Sequence, residues 1–421
     1  IFCGFSQNVI QLILFRGVQG LGGALMIPGS LAIISAIFNK AEKGKAIGTW
    51  SAATTIVTIC GPVLGGALAD IGLWRLIFFI NVPLGILSLY ALYTKVPESR
   101  EPGASAIDWK GAIFLTVSLA ALTMGFLEMP ELGYRHPIVS ISLIGGIVML
   151  AVFIWTESHV PDPMVPLSLF KNKTFSGVNL LSFFLYAALG AMMLFLSLNI
   201  IQVQGYSQLQ AGLTFLPFSL LMVTIARRMG ALSDRYGPRK FLIAGPAITA
   251  VGMYWLSTIG ISGWPSTYWT TFFPPFMVFA LGMSITVVPL TTAVMTCVDE
   301  SKAGIASGIN NSVTRISGTI INAVLGAIAI FLFTSYVKAD LMALELSTDQ
   351  QQIILAEAVK LGEASSPMAI GKELKDQIDL IYDWSFVETY QWVGRLSAVL
   401  ALLSAIIAFF MVEAKALKII L

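Results

Sequence analysis

Arg16 stands in a stretch that carries no other charge from Ile1 to Phe38, within the string Leu14-Phe15-Arg16-Gly17-Val18-Gln19-Gly20. Placing an arginine at the centre of a bilayer-spanning helix costs at least ~2.5 kcal/mol, so such a residue is kept where a cavity or a pathway uses it. Arg16, with Gln19 one helical turn further along, is the first candidate site; a fixed positive charge there would lower the pKa of a nearby carboxylate. Arg315 is the second mid-span charge. Gly304, Gly308, Asn311, Arg315, Gly318 and Asn322 recur at helical spacing and form a small-and-polar stripe, which must avoid lipid. It either lines a central cavity or cements helices together, and an arginine without an acid partner is a poor adhesive. A weaker stripe, Asn179, Ser182, Tyr186, Gly190, Met193 and Ser197, suits a tolerant apolar pocket or interhelical packing equally. The cavity candidates are therefore Asn179, Tyr186, Met193, Asn311, Arg315 and Asn322. Arg395 lies near the outer end of its span, where it can snorkel to the headgroups.

The chemistry that is missing narrows the class. All 23 acidic residues fall in loops or at span ends, so no mid-membrane carboxylate is present to load a proton. His136 and His159 sit in loops, and Cys3, Cys60 and Cys297 have no metal or redox spacing. With no cluster of His, Asp, Glu or Cys facing one cavity, no metal site and no enzyme are expected.

The elements that must hold these residues follow from composition. The 421 residues are 56% hydrophobic and 11% charged, whereas soluble domains carry about a quarter charged residues. Apolar stretches long enough to cross a bilayer are expected at about 9–38, 46–70, 75–94, 109–128, 137–156, 174–200, 208–228, 240–260, 268–292, 303–333 and 385–412. Sixteen lysines and arginines fall in 39–45, 95–110, 157–173, 227–240, 297–302 and the C-terminal tail, against six in the opposite loops. The first set is expected to be cytoplasmic, with the C-terminus on the same side. The hydrophilic segment 334–385 is then extracytoplasmic, and its mixed apolar spacing predicts short amphipathic helices over the outer face.

Two further strings mark contact and turn positions. In Gly61-Pro62-Val63-Leu64-Gly65-Gly66, residues 61 and 65, and likewise 62 and 66, lie four apart on a helix face, so a neighbouring backbone can approach closely. In Gly230-Ala231-Leu232-Ser233-Asp234-Arg235-Tyr236-Gly237-Pro238-Arg239-Lys240, the glycines permit a tight turn between spans, and Asp234 can cap a helix start or pair with a basic neighbour.

The Arg16 string, the Gly-Pro string and Trp74-Arg75-Leu76-Ile77-Phe78-Phe79-Ile80-Asn81-Val82-Pro83-Leu84-Gly85 resemble motif B, the antiporter motif C and the tryptophan-arginine/asparagine-proline signature of the major facilitator superfamily. They look like its fourteen-helix drug:proton antiporter branch, over essentially the whole chain. The string from Gly230 to Lys240 resembles motif A, with Gly230, Asp234, Arg235, Gly237, Arg239 and Lys240 at its characteristic positions. The resemblance implies an all-α membrane protein of the major facilitator fold with about 11 of 14 membrane helices present. Residues 1–94 would complete the N-terminal bundle, 95–173 a linker and two-helix insert, and 174–412 the C-terminal six-helix bundle with its outer loop at 334–385. Residues 1–6 would be the outer end of helix 3, and the coupling carboxylate would lie on a preceding helix 1. Gly61, Pro62, Gly65 and Gly66 would act in gating.

The implied function is export of hydrophobic or amphiphilic, often cationic, compounds in exchange for protons, with no cofactor beyond the coupling ion. Export of an endogenous metabolite, lipid or siderophore is the alternative, and a non-transporting sensor or scaffold a further one. Expected partners are a small-molecule substrate, the lipid bilayer and, in a two-membrane cell, a periplasmic adaptor. No nucleic acid is expected, and the location is the bacterial inner membrane. The topology predicts that cysteines replacing Ser347 and Ser365 in the full-length protein react with impermeant thiol reagents from outside; labelling only after permeabilisation would invert it.

Overall fold

The computed structural model describes residues 1–37, 57, 60–96, 108–161, 163–262, 265–298, 302–342, 344, 346–366 and 372–413. The expected basic loop 39–45 and the first part of the span at 46–70 lie outside them. No strand occurs among the described residues. Eight of their helices are long and apolar enough to cross a membrane.

The chain divides into two compact units, one of residues Ile1–Ala104 with Tyr206–Leu220, the other of Ser105–Gly205 with Leu221–Leu421. In the first, α1 (Phe2–Phe5) and α2 (Val9–Ile37) are followed by α3 over 60–70, α4 (Leu76–Phe79) and α5 (Asn81–Lys95). α4 and α5 form one apolar stretch of 20 residues. Leu84, Leu87 and Tyr90 of α5 are exposed, the expected state of a lipid-facing surface. α1 packs on α4, where Gly4 leaves room for the Phe79 ring and Phe5 meets that ring edge-on at 4.9 Å. Arg75 Nη2 ties the two by donating to the Ser6 carbonyl at 3.1 Å. The short α9 (Gln208–Thr214) completes this unit.

In the second unit, α6 (Trp109–Leu132) and α7 (Pro137–His159) form a hairpin. Gly125 faces Leu143, Gly146 faces Leu122, and Ser118 Oγ donates to the Gly146 carbonyl at 2.8 Å. α6 also packs on α13 (Ala303–Leu341). α8 (Lys173–Leu198), α11 (Arg239–Leu256), α12 (Phe273–Thr296), α13 and α15 (Lys372–Met411) make the main bundle, around fully buried Phe175, Phe195, Phe279, Phe333, Phe386 and Tyr390. α11 and α12 approach backbone to backbone: a β-carbon added at Gly252 would meet the main chain of Phe279, and one at Gly282 the main chain of Thr249. Between membrane helices such small-residue contacts supply the packing that water would otherwise drive. The helix expected at 240–260 falls outside the eight, because Arg239 and Lys240 occupy its first turn.

The segment 334–385 contains short helices as expected but differs at its ends. α13 continues to Leu341 and α15 begins at Lys372, so both ends of the expected loop 334–385 are helix. At 39 and 40 residues each helix is about 60 Å long, twice the hydrocarbon core, and must project beyond it. Between them α14 (Thr348–Glu357), with a Ser347–Gln350 capping box, and a short helical turn over Ala358–Glu363 lie on the main bundle. Tyr382 Oη donates to the Ile354 carbonyl at 2.8 Å, and Gly362 sits against Phe386 and Gln202.

Asn310 joins α13 to α8, its Nδ2 donating to Asn179 Oδ1 at 3.1 Å and Ser182 Oγ at 2.7 Å. Interhelical bonds of this kind contribute about 0.6–2 kcal/mol in lipid. Asn310→Leu is expected to destabilise the protein by that amount in reversible detergent unfolding; an unchanged midpoint would show that the bond contributes nothing.

Candidate transport-pathway residues

The first unit brings Arg16 and Gln19 together. Arg16 Nη1 donates to Gln19 Oε1 at 2.9 Å, one helical turn along α2. The same oxygen accepts from the Cys3 thiol at 3.6 Å. The guanidinium carbon lies 5.9 Å from the centroid of the Phe78 ring, within cation–π range. Arg16 is exposed, and the pair leaves most of the guanidinium's five donors free for another acceptor.

The Gly-Pro helix meets a neighbour through one of its two candidate faces. A β-carbon at Gly66 would fall on the main chain of Gln208 and Leu209 of α9, and one at Gly212 of α9 would fall on the Pro62 carbonyl. Nothing lies within 4 Å of such an atom at Gly61 or Gly65, so Pro62 and Gly66 make the contact. α9 is seated there by a residue that the sequence left among span-end acids. Asp70 closes α3 and accepts from Ser207 Oγ at 2.7 Å, Gln208 N at 2.7 Å and Leu209 N at 3.0 Å. A carboxylate on these first amides also complements the positive end of the helix dipole. The Ser207–Gln210 capping box is legible in sequence as a helix start, but nothing in the string shows that Asp70 supplies a second cap from 137 residues away.

In the second unit the turn between α10 (Leu216–Tyr236) and α11 is made at Gly237, whose φ of 81° lies in the region that favours glycine. Gly237 N bonds the Ser233 carbonyl at 2.8 Å. Gly230 lets α10 approach Val288 of α12, and Arg235 lies over the Tyr236 ring with its carbon 5.3 Å from the centroid. Arg239 anchors the turn: Nη2 donates to the Phe409 carbonyl at 2.7 Å, and the guanidinium lies over the Phe409 ring. That carbonyl belongs to the last turn of α15, the negative end of its dipole. Lys240 is exposed, and the Asp234 side chain lies outside the described residues.

The two polar stripes are divided by the bundle. Asn179 is buried, with Nδ2 on the Phe175 carbonyl at 2.9 Å and Oδ1 on Asn310, so it packs helices. Asn311 and Arg315 are exposed on α13, and the Arg315 guanidinium bonds no described residue. Asn322 lies against Gly190, 3.2 Å from where a β-carbon would be, and its Oδ1 is buried without a partner. Tyr186 and Met193 are half-buried on α8. Asn310 escaped the sequence reading because the stripe was traced through its neighbour Asn311.

Burial pushes the Cys297 thiol up to about 11, which leaves it unreactive as a thiolate. Asp376, Asp379, Asp383 and Glu388 stand on α15 rather than in a loop. Among the described residues no group of three or more His, Cys, Asp or Glu is placed to hold a metal.

Helices long and apolar enough to cross a membrane and close glycine-mediated pairs between them define a multi-pass, all-helical membrane protein. The Major Facilitator Superfamily model matches residues 1–322, and the chain belongs to that family. The multidrug resistance protein Stp of Mycobacterium tuberculosis is 32% identical over 336 residues, covering 78% of this chain and 60% of Stp. The tetracenomycin C resistance and export protein of Streptomyces glaucescens is 29% identical over 329 residues, with 77% and 60% covered. The chain thus spans about 60% of the length of these relatives. A bacterial homologue of the human lysosomal transporter Spinster, crystallised inward-facing and occupied, superposes with a TM-score of 0.59 at 18% identity, covering 97% of this chain and 78% of that one; it shows the same fold.

The contact at Gly66 predicts a specific pair of outcomes. Gly66→Leu should lower the thermal unfolding midpoint by forcing α3 from α9, an overpacking cost of about 1–3 kcal/mol, whereas Gly65→Leu should leave it unchanged. Equal loss in both variants would place the contact elsewhere.

Proposed function

We propose that the full-length protein exports hydrophobic or amphiphilic compounds, cations among them, in exchange for protons by alternating access. The observation that carries this reading is the Arg16–Gln19 pair. An intramembrane guanidinium held by a single short bond is positioned to lower the pKa of a carboxylate that approaches it, and to let that pKa rise when it withdraws. The resistance and export relatives support the substrate class. The exposed Arg315 face of α13, with Tyr186 and Met193 of α8 half-buried, offers the adaptable, partly polar surface such substrates need. The positive-inside pattern supports a bacterial inner-membrane location with a cytoplasmic C-terminus.

In proteoliposomes holding the full-length protein, Arg16→Ala should abolish proton-driven uphill export. Arg16→Lys should keep part of it, because lysine retains the charge and loses the planar fork. The apparent pKa of the coupling step should rise in the alanine variant. Transport per folded molecule with an unchanged rate and pH profile in Arg16→Ala would exclude coupling through this residue.

A further inference from the structure

The inner end of the α6–α7 hairpin holds two carboxyl groups that nothing above employs. Asp108 is the N-cap of α6; its Oδ1 accepts from Gly111 N at 2.9 Å, and its Oδ2 is buried without a partner. Glu157 stands in the last turn of α7, 3% exposed. Its Oε2 accepts from Val165 N at 2.8 Å, which folds the following segment back on the helix, and its Oε1 is also buried without a partner. The two orphan oxygens face the same point. A β-carbon at Gly111 would lie 2.5 Å from Glu157 Oε1 and 2.6 Å from Asp108 Oδ2, so glycine there makes the space both occupy. The carboxyl groups are within hydrogen-bonding reach of each other.

Two ionised carboxylates cannot bond, since each only accepts, and two facing anions with buried oxygens and no cation are unfavourable. No described cation pairs with either acid. The ion pair among the described residues is Lys360–Glu357, far along the chain. Lys110 of α6 is exposed, and the His159 ring of α7 bonds Ser158 Oγ and the Trp155 carbonyl, each at 2.8 Å. Glu128 and Glu131 belong to the opposite end of α6. On α13, Lys302 at the N-cap and Arg315 are exposed and make no ion pair with either acid, and Lys338 and Asp340 lie in the last turn. A metal would require a third ligand of the usual kinds, and no such group of three is formed among the described residues.

We propose that Asp108 and Glu157 bind one proton between them, and that this shared proton clasps the inner end of the hairpin and the segment after it. One carboxyl donates to the other, both orphan oxygens are satisfied, and Glu157 Oε2 stays on Val165. Losing that proton leaves two facing anions, which repel each other. The clasp is therefore closed in acid and opens as pH rises through the pair's own titration. It is a proton site distinct from the Arg16 region and does not depend on the export reading.

Infrared spectroscopy of the full-length protein tests the proton, and a fluorophore on Met164→Cys, in a Cys60→Ser background, tests the clasp. Relative to Glu157→Gln and to Asp108→Asn, the parent should show an additional protonated-carboxyl C=O band that disappears on titration to alkaline pH. Iodide quenching of the fluorophore should rise as the parent is titrated from acid to alkaline pH and stay low in Glu157→Gln, whose amide donates without titrating. Both amide variants keep the side-chain shape, and their folding is checked by the unfolding midpoint. Absence of the band at every pH at which the protein stays folded, its survival in both variants, or the same pH-dependent quenching in Glu157→Gln would overturn the proposal, as would suppression of the band by added Mg2+ or Ca2+, which would make the pair a cation site.

Discussion

Everything in this bundle depends on how closely two backbones can approach. Hydrocarbon offers no hydrophobic drive between helices, so association rests on van der Waals contact and a few polar bonds. The glycines decide where that contact occurs. α11 and α12 meet at Gly252 and Gly282, α6 and α7 at Gly125 and Gly146, and α3 and α9 at Gly66 and Gly212. Polar bonds then fix register at single points: Asn310 between α13 and α8, and Ser404 Oγ on the Leu181 carbonyl at 3.2 Å between α15 and α8. Tyr390 Oη joins α15 to the end of α11 through the Leu256 carbonyl at 3.0 Å.

Much of the fold was legible because hydropathy and charge report the bilayer directly. Helices were expected where α6, α7, α8, α12 and α13 begin, to within a few residues. In the segment 334–385 short helices were expected and are present, but not that α13 and α15 supply its two ends, and the reason is physical. A hydropathy pattern ends where a helix leaves the membrane, but the backbone bonds of α13 and α15 continue into water as long as propensity and packing allow. The polar stretch before Ser385 is helical because Tyr382 and Phe386 dock it onto α14 and the core.

Candidate residues were legible where a residue type is rare in its setting. Arg16 announces itself because an arginine inside a span is costly, and Gly237 because only glycine takes the turn's backbone freely. Residues that act through ordinary chemistry at span ends were not. Asp70, Asp108 and Glu157 read as loop acids, since nothing in a linear string reveals that Asp70 reaches Ser207 or that Glu157 faces Asp108. The choice between the two faces of the Gly-Pro helix was equally silent, because both have the same spacing and only the position of α9 distinguishes them.

A protein proposed to alternate between two states needs loops that are seated without being locked, and the charged helix ends meet that need. Asp70 sits on the N-terminal amides of α9, and Arg239 on a last-turn carbonyl of α15. A charge at a helix end contributes about 0.3–1 kcal/mol when exposed and up to about 2 kcal/mol when partly buried. Buried ion pairs behave differently, because breaking one leaves an uncompensated charge at a cost of about 3–5 kcal/mol. Asp70 is exposed, so water can replace its three donors as it leaves. Arg239 is half-buried, with Nε already unpartnered, and would lose only one bond and a ring contact. Both contacts therefore fix a loop in one place while leaving its release easier than the breaking of a buried ion pair.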